Sequence, residues 1–259
     1  MPSLTIDQRF CGPPGCANGG YLAGLLARCS PQLVRVRIER PIPLQVALDV
    51  RSDADGALEL LDGQQVLARA RPAAFELAVP PAPDYLQALD ASRHFIGFQH
   101  HAFPGCFVCG TDRMRGDGLR IFAGELGGQK QVAATWVPDI SLSAGDGKVR
   151  PEFMSAALDC PGYFAARSDG VPMLLGEYAV HVDRCVHIDE PCIVIGWRIA
   201  AHGRKHEVGT ALFDYDGDLC ARASATWIEI KPDMNIVHSA AAPDATPAAP
   251  TTGKSERPT

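Results

Sequence analysis

The sequence has no long apolar segment and no export signal. None of its apolar runs approaches the roughly 18 residues that a membrane-spanning helix needs. The first seven residues lack the basic and then apolar layout of a signal peptide. We therefore expect a cytoplasmic protein without membrane insertion.

The sequence also lacks an excess of positive charge. Lysine and arginine number 24 against 30 acidic residues, which gives a net charge of −6. Nucleic acid is not an expected partner, because binding to phosphates relies on basic surface. The composition is otherwise ordinary for a globular protein, and 259 residues allow one large domain or two smaller ones.

A second C-x-x-C motif is missing as well. Nine cysteines without an export signal favour reduced thiols over a disulfide framework. Cys106 and Cys109 form one C-x-x-C, whereas a tetrahedral zinc site needs four ligands. His100 and His101 in principle complete such a set, but the expected role of the two cysteines is a structural thiol pair. No metal and no cofactor is predicted.

Two apolar helical segments with unusual features stand out. In the first, Asn18-Gly19-Gly20 precedes an apolar run from Tyr21 to about Cys29. Asn18 is a good helix cap, and the two glycines leave the first N–H groups of the helix open to a ligand oxygen. Alternatively, the glycines only permit tight packing of the loop.

The second segment, residues 150–166, carries one carboxylate in an apolar run. Pro151 suits the first helical position, and Glu152 favours the positive end of the helix dipole. Pro161 should kink or end the first part of the helix. Asp159 lies among apolar residues, where burial of an unpaired carboxylate is costly. It is a candidate functional residue, with a surface position or a local cap as the alternative.

Segments with strand character follow each helix. Val34, Val36 and Ile38 alternate with charged residues and predict a half-buried strand. The predicted strands of the two halves cover residues 34–44, 46–50, 57–61 and 66–70, and then 118–122, 131–137, 174–183, 192–200, 207–214 and 219–230.

The two halves repeat one another. Residues 36–42 correspond in type and order to 180–186, and an Asp-Gly turn followed by Ala-Arg-Ala occurs at both 62–70 and 216–223. The repeat predicts a duplicated domain. We expect an N-terminal half at 1–78, a connector with a short helix at 79–105, a C-terminal half at 106–233 and a disordered Ala/Pro/Thr-rich tail at 234–259.

The Asn18–Ala27 segment, with the Arg-Pro-x-Pro of residues 40–43 after the next strand, resembles the hotdog-fold acyl-CoA thioesterases. The duplication resembles their double-hotdog branch over about residues 5–75 and 106–231. The resemblance implies an α+β fold, a tandem (double) hotdog in which each half is a curved antiparallel sheet wrapped around a central helix. It also implies hydrolysis of an acyl-CoA by a homodimer or larger homo-oligomer.

Members of that superfamily often begin the central helix with His-Gly-Gly and carry an acidic residue nine positions after the histidine. In the first half, Asn18 replaces the histidine, Gly19 and Gly20 match, and Ala27 stands at the acidic position.

The second half has kept the other part of this pattern. Arg150 stands in the histidine position, Pro151 and Glu152 replace the glycines, and Asp159 is the acidic residue. Seven or eight residues of one helix span about 11–12 Å, too far for both groups to act on one carbonyl. The resemblance implies a composite site of one helix start and the other helix's carboxylate. We expect one active site and, at Ala27, one inactive pseudo-site.

Roles at the composite site follow from this arrangement. The N–H of Gly20, with that of Gly19, is expected to stabilise the charge on the carbonyl oxygen. Asp159 is expected to act as general base on water or to attack the carbonyl as a nucleophile, while Asn18 orients the loop or the water. Candidate contacts for the phosphates of coenzyme A are Arg204, Lys205, Arg113 and Arg115.

Two other activities are alternatives. A non-catalytic acyl-CoA- or lipid-binding protein fits the loss of the histidine and of half of the motif in each repeat. A hydratase or dehydratase needs an Asp/His pair on one loop, and no such arrangement is present. Cys16 and Cys160 lack a nearby histidine in sequence, and we expect them to be core residues.

Overall fold

The computed structural model describes residues 3–127, 130–167 and 171–230. The tail predicted over 234–259 lies outside the described residues. In those ranges, no helix is both long enough and apolar enough to span a bilayer.

The first half places one α-helix against antiparallel strands. Its elements are β1 (Ser3–Thr5), α1 (Gly19–Arg28), β2 (Val34–Ile38), β3 (Ala47–Ser52), β4 (Leu58–Asp62) and β5 (Gln65–Pro72). The strand order is β1-β3-β4-β5-β2. Helix α1 and strands β3 to β5 agree with the sequence analysis, and the three residues of β1 are too few to give a recognisable pattern. The strand predicted over 34–44 ends at Ile38, because Pro41 and Pro43 have no N–H to donate to a neighbouring strand.

The second half repeats this arrangement with longer strands. Its elements are α2 (Tyr85–Arg93), β6 (Gly124–Glu125), β7 (Gln131–Trp136), α3 (Pro151–Ala157), α4 (Asp159–Ala166), β8 (Met173–Val182), β9 (Cys192–His202), β10 (Lys205–Phe213) and β11 (Leu219–Glu229). The strand order is β8-β11-β10-β9-β7-β6.

The two halves share one sheet. Strands β2 and β8 pair antiparallel, with Val36 opposite Tyr178, and the resulting sheet has 11 strands. The side chains of Leu22 and Leu26 on α1 and of Phe153 on α3 are buried in a core common to both halves. This arrangement confirms the predicted tandem hotdog. The domain boundaries given above stay predictions.

The predicted strand at 118–122 is wrong. Arg120 adopts a φ of +56°, which interrupts an extended run. The N–H groups of Leu119 and Ile121 instead donate to the carbonyls of Phe107 and Val108, so this segment is bound to the C-x-x-C loop. The partner of β7 on that side is the two-residue strand β6.

The helix of the second half is broken immediately before its carboxylate. Segment α3 ends at Ala157, Leu158 lies between the two segments, and α4 begins at Asp159. Pro161 has no N–H to donate to Ala157, and its ring would collide with that carbonyl in a continuous helix. The predicted break therefore occurs, and it places Asp159 in the first turn of a new helix.

Helices α1 and α3–α4 run in opposite directions and approach one another at two glycines. A Cβ atom on Gly20 would lie 2.6 Å from the Cβ atom of Asp159. A Cβ atom on Gly24 would lie 2.7 Å from the Cα atom of Glu152. Any larger residue at either position forces the helices apart, because real Cβ atoms do not come so close to other carbon atoms. The start of α1 therefore contacts the start of α4.

Candidate active site

Asp159 joins the two halves at the start of α1. Its side chain is 2% exposed, and its Oδ2 atom accepts two hydrogen bonds from the first half. The donors are Nδ2 of Asn18, at 2.6 Å, and the backbone N–H of Gly20, at 3.0 Å. The carboxylate of one half therefore caps the helix of the other half, as the composite arrangement requires.

Asn18 is held in one orientation by its own helix. As the N-cap residue of α1, it accepts the N–H of Tyr21 with its Oδ1 atom at 2.9 Å. Because that bond fixes the oxygen, the amide nitrogen must face Asp159. Asn18 is 2% exposed, so the pair lies in the protein interior.

Burial shifts the titration of Asp159 toward neutral pH. Desolvation raises the pKa of this carboxyl to about 7, against the lowering effect of the hydrogen bonds from Gly20 and Asn18. The other carboxyl oxygen, Oδ1, is buried and has no hydrogen-bond partner among the described residues. Asp159 thus offers one anchored oxygen and one oxygen that is able to accept a proton.

A cavity of about 400 Å³ opens onto these groups. Asn18, Gly19 and Asp159 lie in its wall together with apolar side chains from both halves. The apolar part of the wall includes Ile38, Ile42, Phe103, Phe164, Leu175 and Trp227. An apolar cavity with a few convergent polar groups is typical of a small-molecule site.

The two glycines have different roles in the structure. Gly20 gives its N–H to Asp159, and the contact with Asp159 leaves no space for a side chain there. Gly19 lines the cavity, which Gly20 does not. Both sequence interpretations of the glycine pair thus have a basis, since one glycine permits close packing and the other faces the cavity.

The predicted coenzyme A contacts fall into two groups. Arg204 donates to the carbonyl oxygen of Glu229 at 2.9 Å, and Lys205 lies opposite Ile228 in the β10–β11 pair. Glu229 and Ile228 both line the cavity, so the turn with Arg204 and Lys205 is at its edge.

Arg113 and Arg115 lie elsewhere. Arg113 donates to the carbonyl of Gly105 and to the carboxylate of Asp117, and Arg115 is exposed near Gly118. Neither residue lines the cavity, whereas Arg40 does. Arg40 belongs to the Arg-Pro-x-Pro motif, and its position beside the cavity was not predicted from the sequence.

The C-x-x-C pair is part of a larger group of thiols. The sulfur atoms of Cys106, Cys109 and Cys160 all lie within 4.8 Å of one another, and all three residues are buried. They line the same cavity as Asp159. Sequence spacing gives no sign of this cluster, because Cys160 lies in α4, 54 residues after Cys106.

At the opposite end of the helix pair, where the sequence predicts an inactive pseudo-site, Glu152 forms ion pairs with two arginines. Glu152 is 1% exposed, and its Oε1 atom lies 2.8 Å from a guanidinium nitrogen of Arg28 and 3.1 Å from one of Arg150. Ala27, at the position of the acidic residue, contributes no acid–base group.

Comparison with solved structures identifies the fold. An acyl-CoA thioesterase II, TesB2, from Mycobacterium marinum superposes with a TM-score of 0.55 over 89% of this chain and 93% of its own, at 14% identity. A TesB protein from Mycobacterium avium subsp. paratuberculosis gives 0.54 over 83% and 88%, at 13% identity. The chain has the double-hotdog fold.

At 13–14% identity, the likeness to these structures shows the fold and not the activity. No protein-family model matches the sequence, and no curated protein is significantly similar to it. The superpositions with solved structures confirm, at the level of the fold, the resemblance to double-hotdog thioesterases that was inferred from the sequence.

Proposed function

We propose that this protein hydrolyses the thioester of an acyl-CoA or a related acyl thioester at the composite site of α1 and Asp159. The observation that carries the proposal is the Asp159 carboxylate, buried against Asn18 and Gly20 in the wall of a cavity formed by both halves. The structural neighbours named as acyl-CoA thioesterases support the same chemistry.

In the proposed reaction, Asp159 activates a water molecule. Its unpartnered oxygen Oδ1 takes a proton from water as the water oxygen attacks the carbonyl carbon. The C–S bond then breaks, and the leaving thiolate takes up the proton held by Asp159, which restores the carboxylate. Direct attack by the carboxylate, with an anhydride intermediate, is the second route by which the same residue can act.

The carbonyl oxygen is assigned to the N–H of Gly19 and the positive end of α1. The N–H of Gly20 is already donated to Asp159, while Gly19 faces the cavity. Donors fixed before the reaction stabilise the developing charge without reorganisation. Arg204, Lys205 and Arg40, at the edge of the cavity, are the proposed contacts for the phosphates of coenzyme A.

One observation favours the alternative of a non-catalytic acyl-CoA-binding protein. The bond between Gly20 and Asp159 removes one of the two N–H groups expected to hold the carbonyl oxygen.

The cytoplasmic location and the homo-oligomeric state also belong to the proposal. The homo-oligomeric state is suggested by the exposed sheet edges expected for this fold.

The test is thiol release from short, long and aromatic acyl-CoAs by wild type and Asp159→Asn. The asparagine oxygen can replace Oδ2 as acceptor from Asn18 and Gly20, so the variant should fold, but it cannot accept the proton. We expect kcat/KM to fall by about 1,000-fold. Asp90→Asn, at an exposed aspartate of α2, is the matched control and should retain full activity.

Full turnover by Asp159→Asn would exclude the mechanism. Tight binding of acyl-CoA by wild type, without turnover of any substrate, would establish the binding protein instead.

A further inference from the structure

The strongest feature that the proposed hydrolysis does not use is the cluster of Cys106, Cys109 and Cys160. The Sγ atoms of Cys106 and Cys160 lie 3.6 Å apart, and the third sulfur is within 4.8 Å of both. A disulfide requires about 2.05 Å between its sulfurs. Two ligands of a tetrahedral metal ion, each at about 2.3 Å, are separated by about 3.8 Å. The observed separation is therefore close to that of metal-bound thiolates.

The loop of Cys106 and Cys109 is shaped to direct polar groups at a sulfur atom. Gly110 donates its N–H to the carbonyl of Cys106 at 2.9 Å, and a Cβ atom at Gly110 would lie 2.3 Å from that oxygen. Only glycine fits this turn. The thiols of Cys109 and Cys160 and the backbone N–H groups of Val108 and Cys109 face the sulfur of Cys106.

The neighbouring histidines do not complete a four-residue set. His101 has Nε2 at 3.0 Å from the carbonyl oxygen of Cys109, and its Nδ1 accepts the N–H of Phe103 at 3.0 Å. Both ring nitrogens are thus engaged with the backbone. His100 is exposed and outside the cluster.

All three cysteines line the cavity, and we assign the fourth coordination position to the cavity side of the cluster. Three protein ligands with one open position form the arrangement found at metal sites that bind an exogenous ligand, whereas structural zinc sites have four protein ligands. Sulfur ligands select thiophilic ions such as Zn²⁺ and Cu⁺ over magnesium or calcium.

We propose that Cys106, Cys109 and Cys160 bind one thiophilic cation of the Zn²⁺ type, with the fourth coordination position open to the cavity beside Asp159. Binding converts the thiols to thiolates and releases their protons. The proposal does not depend on thioester hydrolysis, because it concerns binding alone.

The experiment is a metal titration of the full chain, reduced and freed of metal under anaerobic conditions. Zn²⁺ is added in competition with a chromophoric chelator, and Co²⁺ is added separately because its charge-transfer absorption reports thiolate ligands. We expect one equivalent of each ion per chain and an intense sulfur-to-cobalt band.

Two variants and a matched control assign the ligands. Cys160→Ser keeps the C-x-x-C loop intact, yet it should weaken Zn²⁺ binding at least about 100-fold and reduce the cobalt band. Cys109→Ser should do the same and serves as the second variant if Cys160→Ser fails to fold. Cys29→Ser, at an exposed cysteine, should bind both ions as wild type does.

The proposal is overturned if wild type binds no stoichiometric Zn²⁺, or if the folded cluster variants bind it as tightly as Cys29→Ser. It is also overturned if the Co²⁺ complex lacks the sulfur charge-transfer band.

Discussion

The two ends of the contact between α1 and α3–α4 each contain a buried carboxylate, but the groups that balance its charge differ. Asp159 has two uncharged donors, the amide of Asn18 and the N–H of Gly20. Glu152 lies between two guanidinium groups, those of Arg28 and Arg150. The first carboxylate lines a cavity, and the second is enclosed by its ion pairs.

This difference in charge balance separates the end that we propose to be reactive from the end that is held by ion pairs. Neutral donors only partly offset the desolvation of Asp159, so its pKa stays raised and both protonation states are accessible near neutrality. Ion pairs with arginine hold Glu152 in place, and removing one partner from such a pair leaves an uncompensated charge. Variants at Asp159 and at Glu152 can test this difference.

The largest expected contrast is between Asp159→Ala and Glu152→Gln. Asp159→Ala should lower kcat/KM by about 1,000-fold or more, because the proton acceptor is lost. Glu152→Gln should keep kcat/KM within about twofold but lower the free energy of unfolding by about 2 kcal/mol, since Arg28 is half exposed and the pair is partly screened. Steady-state kinetics and urea unfolding measure the two effects. Loss of activity in folded Glu152→Gln would contradict a purely structural role for that end.

The two glycines of the helix contact provide the next contrast. Gly20→Ala should reduce kcat/KM by about 100-fold, because the new Cβ atom displaces Asp159 from the start of α1. Both Gly20→Ala and Gly24→Ala should lower the free energy of unfolding by about 1–3 kcal/mol, but folded Gly24→Ala should keep its activity. Equal activities in the two variants would show that the position of Asp159 is not critical.

The pH dependence of kcat/KM, measured on the metal-free protein, should follow the titration of Asp159. With its pKa raised to about 7, kcat/KM should decrease about tenfold from pH 8 to pH 6, since the ionised form is the base.

Stability should follow the same titration with a definite sign. The folded state keeps the proton of Asp159 up to about pH 7, whereas the unfolded state loses it near pH 3.8. The contribution of Asp159 to the free energy of unfolding is therefore complete below about pH 4 and is lost as the pH rises to about 7. Asp159→Asn should therefore exceed wild type in unfolding free energy at pH 8, by up to about 4 kcal/mol, and equal it at low pH. Urea unfolding at both pH values is the measurement; a constant difference would disprove the raised pKa.

Asn18 should have a smaller, positioning effect. Asn18→Ala removes a hydrogen bond that lowers the pKa of Asp159. We therefore expect kcat/KM to fall about tenfold and the midpoint of its pH profile to move to higher pH. The variant also loses the helix cap, at about 1 kcal/mol. Asn18→Ser should restore the cap and the stability but leave the midpoint shifted, because serine is shorter. A midpoint at the wild-type pH would contradict the role of Asn18.

The smallest expected effects concern the basic residues. Arg204→Ala, at the edge of the cavity, should raise KM for acyl-CoA about threefold without changing kcat. Arg113→Ala should leave KM unchanged and lower stability by about 1 kcal/mol, because its bonds to Gly105 and Asp117 are internal. Both effects are measured by substrate titration and thermal unfolding. The opposite pattern would exchange the assignments of the two arginines.

Local sequence features predicted much of the fold, and the resemblance to double-hotdog thioesterases implied the partners at the candidate site. Periodicity and the internal repeat predicted α1, most strands and the duplication, and the position of Asp159 opposite Asn18 and Gly20 agrees with the composite arrangement. The strand at 118–122 was predicted wrongly, because the φ of Arg120 depends on contacts with the C-x-x-C loop and not on alternation.

By itself, the sequence determined where the helices begin and end and which of them carries a glycine start or a carboxylate, since caps, prolines and periodicity act over a few residues. Only the tertiary structure decided that Gly20 donates to Asp159 while Gly19 faces the cavity, that Arg204 and not Arg113 lies at its edge, and that Cys160 joins Cys106 and Cys109. These outcomes depend on distances of a few ångströms between segments far apart in the chain, which packing of the whole core fixes.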